Sequence, residues 1–244
     1  MITTEQEQQV TDYLIFHRLP LDILLEVKDH MISQVADIQA EENMSFEEAF
    51  HKTQKLWESE FKLTSYSFFY KEPIPVILKE IVKEKYFDLF KKSLLLGLAS
   101  FTVNLLLVYF SADQEIYNDL FRFYNSLIVM VPFSYWALSK NIRRYMKKDF
   151  KYREKSFFTI YQRNFGMLCI CGNIIFQLII RDDKHVFRFF HTSDPVAVFP
   201  LVLSLTLPYI LHAIIFFVLI SFYAHKKSLD KMQGFLNTGT VQAN

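Results

Sequence analysis

Glycine is scarce in this 244-residue chain, with five in all, and cysteine scarcer, with two. Loops that wrap phosphates need glycine where the backbone must approach the ligand, so nucleotide cradles are excluded at the outset. The chain also lacks a nucleophile elbow and a helical metalloprotease motif. Cys169 and Cys171 both sit inside one apolar run, so no disulfide framework is implied. Two residues apart on a helix they point about 200° apart, which suits small apolar fillers better than a metal or redox pair. The opening MITTEQEQQV lacks the basic-then-apolar order of a cleaved signal peptide. No acid, base and nucleophile set presents itself. The sequence therefore reads as a non-enzyme, with no cofactor and no bound metal.

Apolar and aromatic residues are plentiful. The hydrophobic share is 51%, with 26 Phe, high for so few glycines. A net charge of +1 conceals an asymmetry: residues 1–72 hold 14 acids and 6 bases, a net of −8, leaving +9 for the remainder. Two halves of opposite charge point to two different surroundings or partners.

The spacing predicts three short helices in the acidic part. The first covers 4–18, with Thr4 and Glu7 placed as a capping box. Leu19-Pro20 ends it, because proline disfavours helical geometry in the residue before it. The second covers 22–42 and carries one apolar stripe, Leu24, Val27, Met31, Val35 and Ile38. Asn43-Met44 makes the turn. Ser45 and Glu48 form a second capping box, and Phe46, Ala49, Phe50, Thr53, Trp57 and Phe61 line one face of the third helix. Stripes of this kind must cover one another, which predicts a small helical bundle.

Leu19-Pro20 ahead of the central helix, Glu26 with Asp29-His30 inside it, and Met44 to Ala49 opening the next together resemble the HAAS-type helical domain. That module precedes membrane spans in many bacterial proteins. The resemblance covers about residues 15–61. It implies an anti-sigma-like or permease-prefix-like cytoplasmic adaptor in signalling or regulation, with Glu26, Asp29 and His30 as a candidate face for a protein partner. Glu26 and His30, four apart, would also suit a metal ion, but no second His pair or Cys accompanies them, and a solvated acidic face is the simpler account.

Pro73 and Pro75 mark a boundary. Residues 73–92 read as a juxtamembrane amphipathic helix, with Ile77, Ile81, Val82, Tyr86, Leu89 and Phe90 against Lys79, Lys83, Lys85, Lys91 and Lys92. Packing on the bundle and lying in a headgroup layer both fit. Four apolar runs follow, 93–110, 120–139, 163–180 and 196–223, so residues 93–225 are expected to be a four-helix transmembrane domain and 226–244 a tail. The fold class is accordingly all-α, a bundle followed by spans.

Orientation comes from the short loops. Residues 111–119 carry three acids and no base. Residues 140–163 carry nine bases, Lys140, Arg143, Arg144, Lys147, Lys148, Lys151, Arg153, Lys155 and Arg163, against two acids. Both termini and this loop should therefore be cytoplasmic in a multi-pass protein of the cell membrane. The basic loop could attract nucleic acid, but between spans anionic lipid headgroups are the simpler partner. It could also dock the acidic module.

Within the spans, Asn104, Asn173, Gln177 and His212 are the groups lipid rejects. They form a candidate intramembrane cluster, either interhelical ties or the lining of a path in a small transporter or permease subunit. A bis-His haem site would need a second buried span histidine, and none is present. The expected partners are thus membrane lipids and a cytoplasmic or membrane protein, with room for self-association and no nucleic acid.

Overall fold

A computed structural model describes residues 2–66, 72–146, 157–162, 164–180, 184–193 and 195–237. Lys147, Lys148, Lys151, Arg153, Lys155 and Arg163 of the basic loop lie outside the described residues. Among the described residues the fold is all-α but for one pair of two-residue strands. Its elements are α1 (Thr4–Phe16), α2 (Leu21–Glu42), α3 (Phe46–Phe61), β1 (Leu63–Thr64), β2 (Ile74–Pro75), α4 (Val76–Phe110), α5 (Gln114–Leu138), α6 (Lys140–Arg144), α7 (Phe165–Ile180), α8 (Lys184–His191) and α9 (Val198–Asn237). They form two compact units, one of residues 1–86, 145–162 and 225–244, the other of 87–144 and 163–224.

In the first unit, α1 begins one residue earlier than the pattern suggested. Thr3 rather than Thr4 is the N-cap: its hydroxyl accepts from the Gln6 amide, and the Gln6 side chain accepts from the Thr3 amide. The text TTEQE satisfies the capping-box spacing in two registers, and the motif cannot choose between them. Ser45 and Glu48 cap α3 as expected. Asn43 ends α2 at φ 50°, the left-handed conformation that asparagine tolerates. The stripes cover one another: Val10, Leu14, Leu24, Val27, Met31, Val35, Ile38, Phe46, Ala49, Phe50 and Phe61 are buried. Trp57 Nε1 donates to Gln34 Oε1 at 2.7 Å, and Lys28 reaches Glu7 at 2.7 Å.

β1 and β2 pair antiparallel, Leu63 with Pro75 and Thr64 with Ile74, and lead into α4. The separate amphipathic helix expected over 73–92 is instead the opening of one 35-residue helix. No proline or glycine interrupts residues 76–96, and the Ser93 hydroxyl bonds back to the Phe90 carbonyl at 2.8 Å rather than capping a new start. Leu78, Val82 and Tyr86, one turn apart, are buried within the first unit.

Among the described residues, two helices are long and apolar enough to cross a membrane, α4 and α9, not the four that the apolar runs suggested. Only 28% of the apolar window of α4 and 39% of that of α9 is buried in the protein, unlike the core helix of a soluble fold. α5 falls short in apolarity, because Arg122, Tyr124 and Asn125 dilute its first half. α7 falls short in length: 16 residues rise about 24 Å against a hydrocarbon core of about 30 Å. α9 runs on as helix to Asn237, through what the sequence suggested as a tail. The loop after α7 forms α8, which buries Val186 and Phe187 against Val108, Tyr117, Phe121 and Leu201. Its His191 Nε2 meets the carbonyl of Val108 at 2.8 Å, one of the carbonyls left unpaired at the end of α4.

Candidate functional site

Along α4, Ser93, Gly97, Ser100 and Asn104 recur at spacings of four, three and four, which places them on one face. A β-carbon added to Gly97 would sit 3.0 Å from the Ala213 β-carbon, so α9 approaches α4 where the side chain is absent. His212, next to Ala213, thereby reaches Ser100. Its Nδ1 is 2.7 Å from Ser100 Oγ, and its Nε2 is 2.9 Å from Asn125 Oδ1. Ser100 Oγ is in turn 2.8 Å from the Tyr124 hydroxyl. Asn125 Nδ2 donates to the Phe121 carbonyl at 2.7 Å.

That last bond sets every other direction. With Nδ2 committed to a carbonyl, Asn125 offers His212 only an acceptor, so Nε2 carries the imidazole proton and Nδ1 accepts from Ser100. Ser100 then accepts from Tyr124. The result is a one-way chain, Tyr124 to Ser100 to His212 to Asn125 to Phe121, joining α4, α5 and α9. Ser100, Asn125 and His212 are buried, and their side chains are matched donor to acceptor.

The other cluster candidates lie elsewhere. Gln177 Nε2 donates to Asn173 Oδ1 at 2.9 Å on an exposed face of α7. Asn104 lines a cavity of about 10 Å³ with Phe101, Tyr117, Ser204 and Pro208, and neither polar atom of its side chain has a protein partner. That space holds about one water. Of the four candidates, only His212 belongs to the buried network. Cys169 is exposed and Cys171 buried, as their spacing implied.

A second constellation lies in the first unit, at the start of α2. Pro20 occupies the N-cap position and offers no side-chain oxygen, so the first amides of α2 need partners from elsewhere. The Leu21 amide donates to the Phe157 carbonyl at 2.9 Å and the Asp22 amide to the Phe158 carbonyl at 3.1 Å. A segment distant in sequence thus caps the central helix of the acidic module. The segment is itself well bonded. Phe158 N–H donates to Gln162 Oε1 at 2.9 Å, and the Ile160 carbonyl accepts from the Tyr86 hydroxyl at 2.8 Å. The Asp22 carboxylate accepts from the Ile23 amide of its own helix at 3.0 Å. Thr159 Oγ1 lies 2.7 Å from His225 Nδ1. Beneath these bonds Leu21, Phe158, Leu229 and Met232 form an apolar cluster, edged by Leu25 and Tyr145.

Burial pushes the Asp22 carboxyl up to about 7, against the opposing pull of Lys85 and of the Ile23 and Ile160 amides. Lys85 also reaches Glu26 at 3.5 Å. Glu26, Asp29 and His30 are exposed. Among the described residues no group of three His, Cys, Asp or Glu side chains converges as metal ligands would. Of the basic loop, Lys140, Arg143 and Arg144 are exposed on or beside α6.

Sequence reasoning passed over Ser100, Tyr124 and the capping role of the segment 157–162, which it read as an extension of the third apolar run, whereas α7 begins at Phe165. The signal for the segment was available: a helix opening on Leu-Pro-Leu has no capping side chain of its own. Comparison with family models, curated proteins and solved structures finds no match to this chain.

Proposed function

We propose that the chain is a multi-pass membrane protein of regulatory type, whose helical module docks on its own segment 157–162 and offers an acidic face to a protein partner. The capping of Leu21 and Asp22 by the carbonyls of Phe157 and Phe158 carries this reading. The dock is built from backbone bonds and apolar contacts, which leaves Glu26, Asp29 and His30 facing solvent. The resemblance of residues 15–61 to HAAS-type adaptors points the same way.

The same reading takes α5 and α7 into the membrane alongside α4 and α9, for four spans. Phe123 and Met130 on α5, and Ile170 and Phe176 on α7, are 60% or more exposed, an arrangement that lipid rewards and water does not. Residues 1–86, 145–162 and 225–237 pack as one unit, so they share a membrane side, and the nine bases of 140–163 assign that side to the cytoplasm. The transporter alternative has less support, since the His212 network is closed and the cavity beside it holds about one water.

Photo-crosslinking in intact cells tests the proposal, with the probe at Asp29 or His30 and a control at Thr102. A shared discrete protein adduct from both module positions, lost from the His30 probe when Glu26 and Asp29 are changed to Lys, is the expected result. Adducts no different from the control would remove the partner role.

A further inference from the structure

Two faces of α7 differ in kind. Leu168, Cys171 and Ile175 are buried, and beside them Gly172 lies so near α5 that an added β-carbon would stand 3.2 Å from the Phe133 ring. At about 100° per residue, Gly166, Ile170, Asn173 and Gln177 fall on the opposite side of the helix. All four are exposed, and a β-carbon on Gly166 would meet nothing within 4 Å. We propose that this amide-bearing face is where a second copy of the chain docks, giving a symmetric dimer through α7. The dimer rests on the reading of α7 as a span.

The company these amides keep is apolar. Ile170 is 64% exposed and Phe176 63%, and α7 carries no charged residue. Hydrocarbon offers an outward-facing amide no partner, so in lipid another helix must supply one.

A second copy meets that need because the face is self-complementary. Gln177 Nε2 donates to Asn173 Oδ1 at 2.9 Å, which joins the two amides into one unit. The bond leaves the Asn173 amino group to donate and Gln177 Oε1 to accept. Exchanging nitrogen for oxygen in both amides leaves the same balance, one donor and one acceptor. All copies enter the membrane in one orientation, so a two-fold axis along its normal sets α7 beside α7 with equal residues level. Asn173 of each copy then donates to Gln177 of the other, which makes two reciprocal bonds.

Three measurements on the full-length protein test the dimer. In native membranes, with Cys169→Ala and Cys171→Ala as background, Ile170→Cys should oxidise to a species of twice the chain's mass. Leu98→Cys, exposed on α4, should not. An Ile170→Cys adduct of another mass would assign the face to a different protein and overturn the proposal. Equal crosslinking through Leu98→Cys would mean random collision and overturn it too. In phosphatidylcholine vesicles, single-molecule photobleaching over a dilution series gives the dimer dissociation constant. Asn173→Leu with Gln177→Leu should raise it about tenfold, the worth of two such bonds. Both positions face away from α5, so leucine there leaves that packing intact. Monomers at every dilution, or an affinity untouched by the double variant, count equally against the dimer. A membrane-impermeant maleimide separates the two readings. Ile170→Cys shielded from it in a monomeric protein removes the dimer and keeps the span, whereas rapid labelling removes both.

Discussion

Gly97 and Ala213 meet so closely that a β-carbon on Gly97 would stand 3.0 Å from the Ala213 β-carbon and 3.3 Å from its α-carbon. A β-carbon cannot rotate aside, so the two helices would have to separate. Gly97→Ala should destabilise the protein by about 1–3 kcal/mol, despite alanine's better helix propensity. Thermal unfolding in detergent would show it, and the bulkier Gly97→Leu should be worse. Unchanged melting of both variants would mean that the contact is looser than described.

The one-way hydrogen-bond chain through His212 predicts coupling, not additivity. Ser100→Ala and His212→Ala should each lower stability, and the double variant should lose less than their sum. The expected coupling is about 0.6–1.7 kcal/mol, the range for hydrogen-bonded pairs between membrane helices. A double-mutant cycle by denaturant unfolding supplies the number. A cycle that closes at zero would leave the two side chains as neighbours and nothing more.

Tyr86→Phe removes the donor from the Ile160 carbonyl but keeps the ring stacked near Tyr161, 6.1 Å between centroids. The orphaned carbonyl should cost about 1 kcal/mol. The loss should fall on the segment 157–162, seen as faster proteolysis there while α3 stays resistant. A uniform loss across the module would point to general unfolding instead.

His17 gives the module a pH response of its own. Its ring stacks on Phe61 at 4.2 Å, its Nε2 has no partner, and burial lowers its pKa below the usual value. An unfolded chain therefore binds the proton first as pH falls below about 6.5. Stability from this group is present above that pH and declines below it. His17→Phe should flatten the acid side of the melting-temperature profile. An acid limb that persists would belong to another group.

How far the residues announced this arrangement varies with the range of the interaction. Ser45 and Glu48 sit three apart and cap α3 as their spacing demands. The α2 stripe from Leu24 to Ile38 is buried throughout. Thr3 and Thr4 offered equal caps, and the choice lay in backbone geometry that spacing does not encode. α4 runs unbroken because nothing local stops it, while its change of surroundings, from charged residues to apolar ones, looked like an end. The partners of His212 were obscured for another reason. Ser100 and Tyr124 are unremarkable in a helix until Gly97 brings α9 against α4. The capping of α2 by Phe157 and Phe158 is longer in range still, and only the missing N-cap side chain at Pro20 hinted at it.

That distant cap also sets an order of events during synthesis. Leu21 and Asp22 leave the ribosome long before Phe157 and Phe158, and at about 5–20 residues per second the interval is on the order of ten seconds. Until then the start of α2 has water as its cap and should fray. The module reaches its finished form only once α4 and α5 have been made and the segment that follows them is delivered to it, so its completion reports how far synthesis has run.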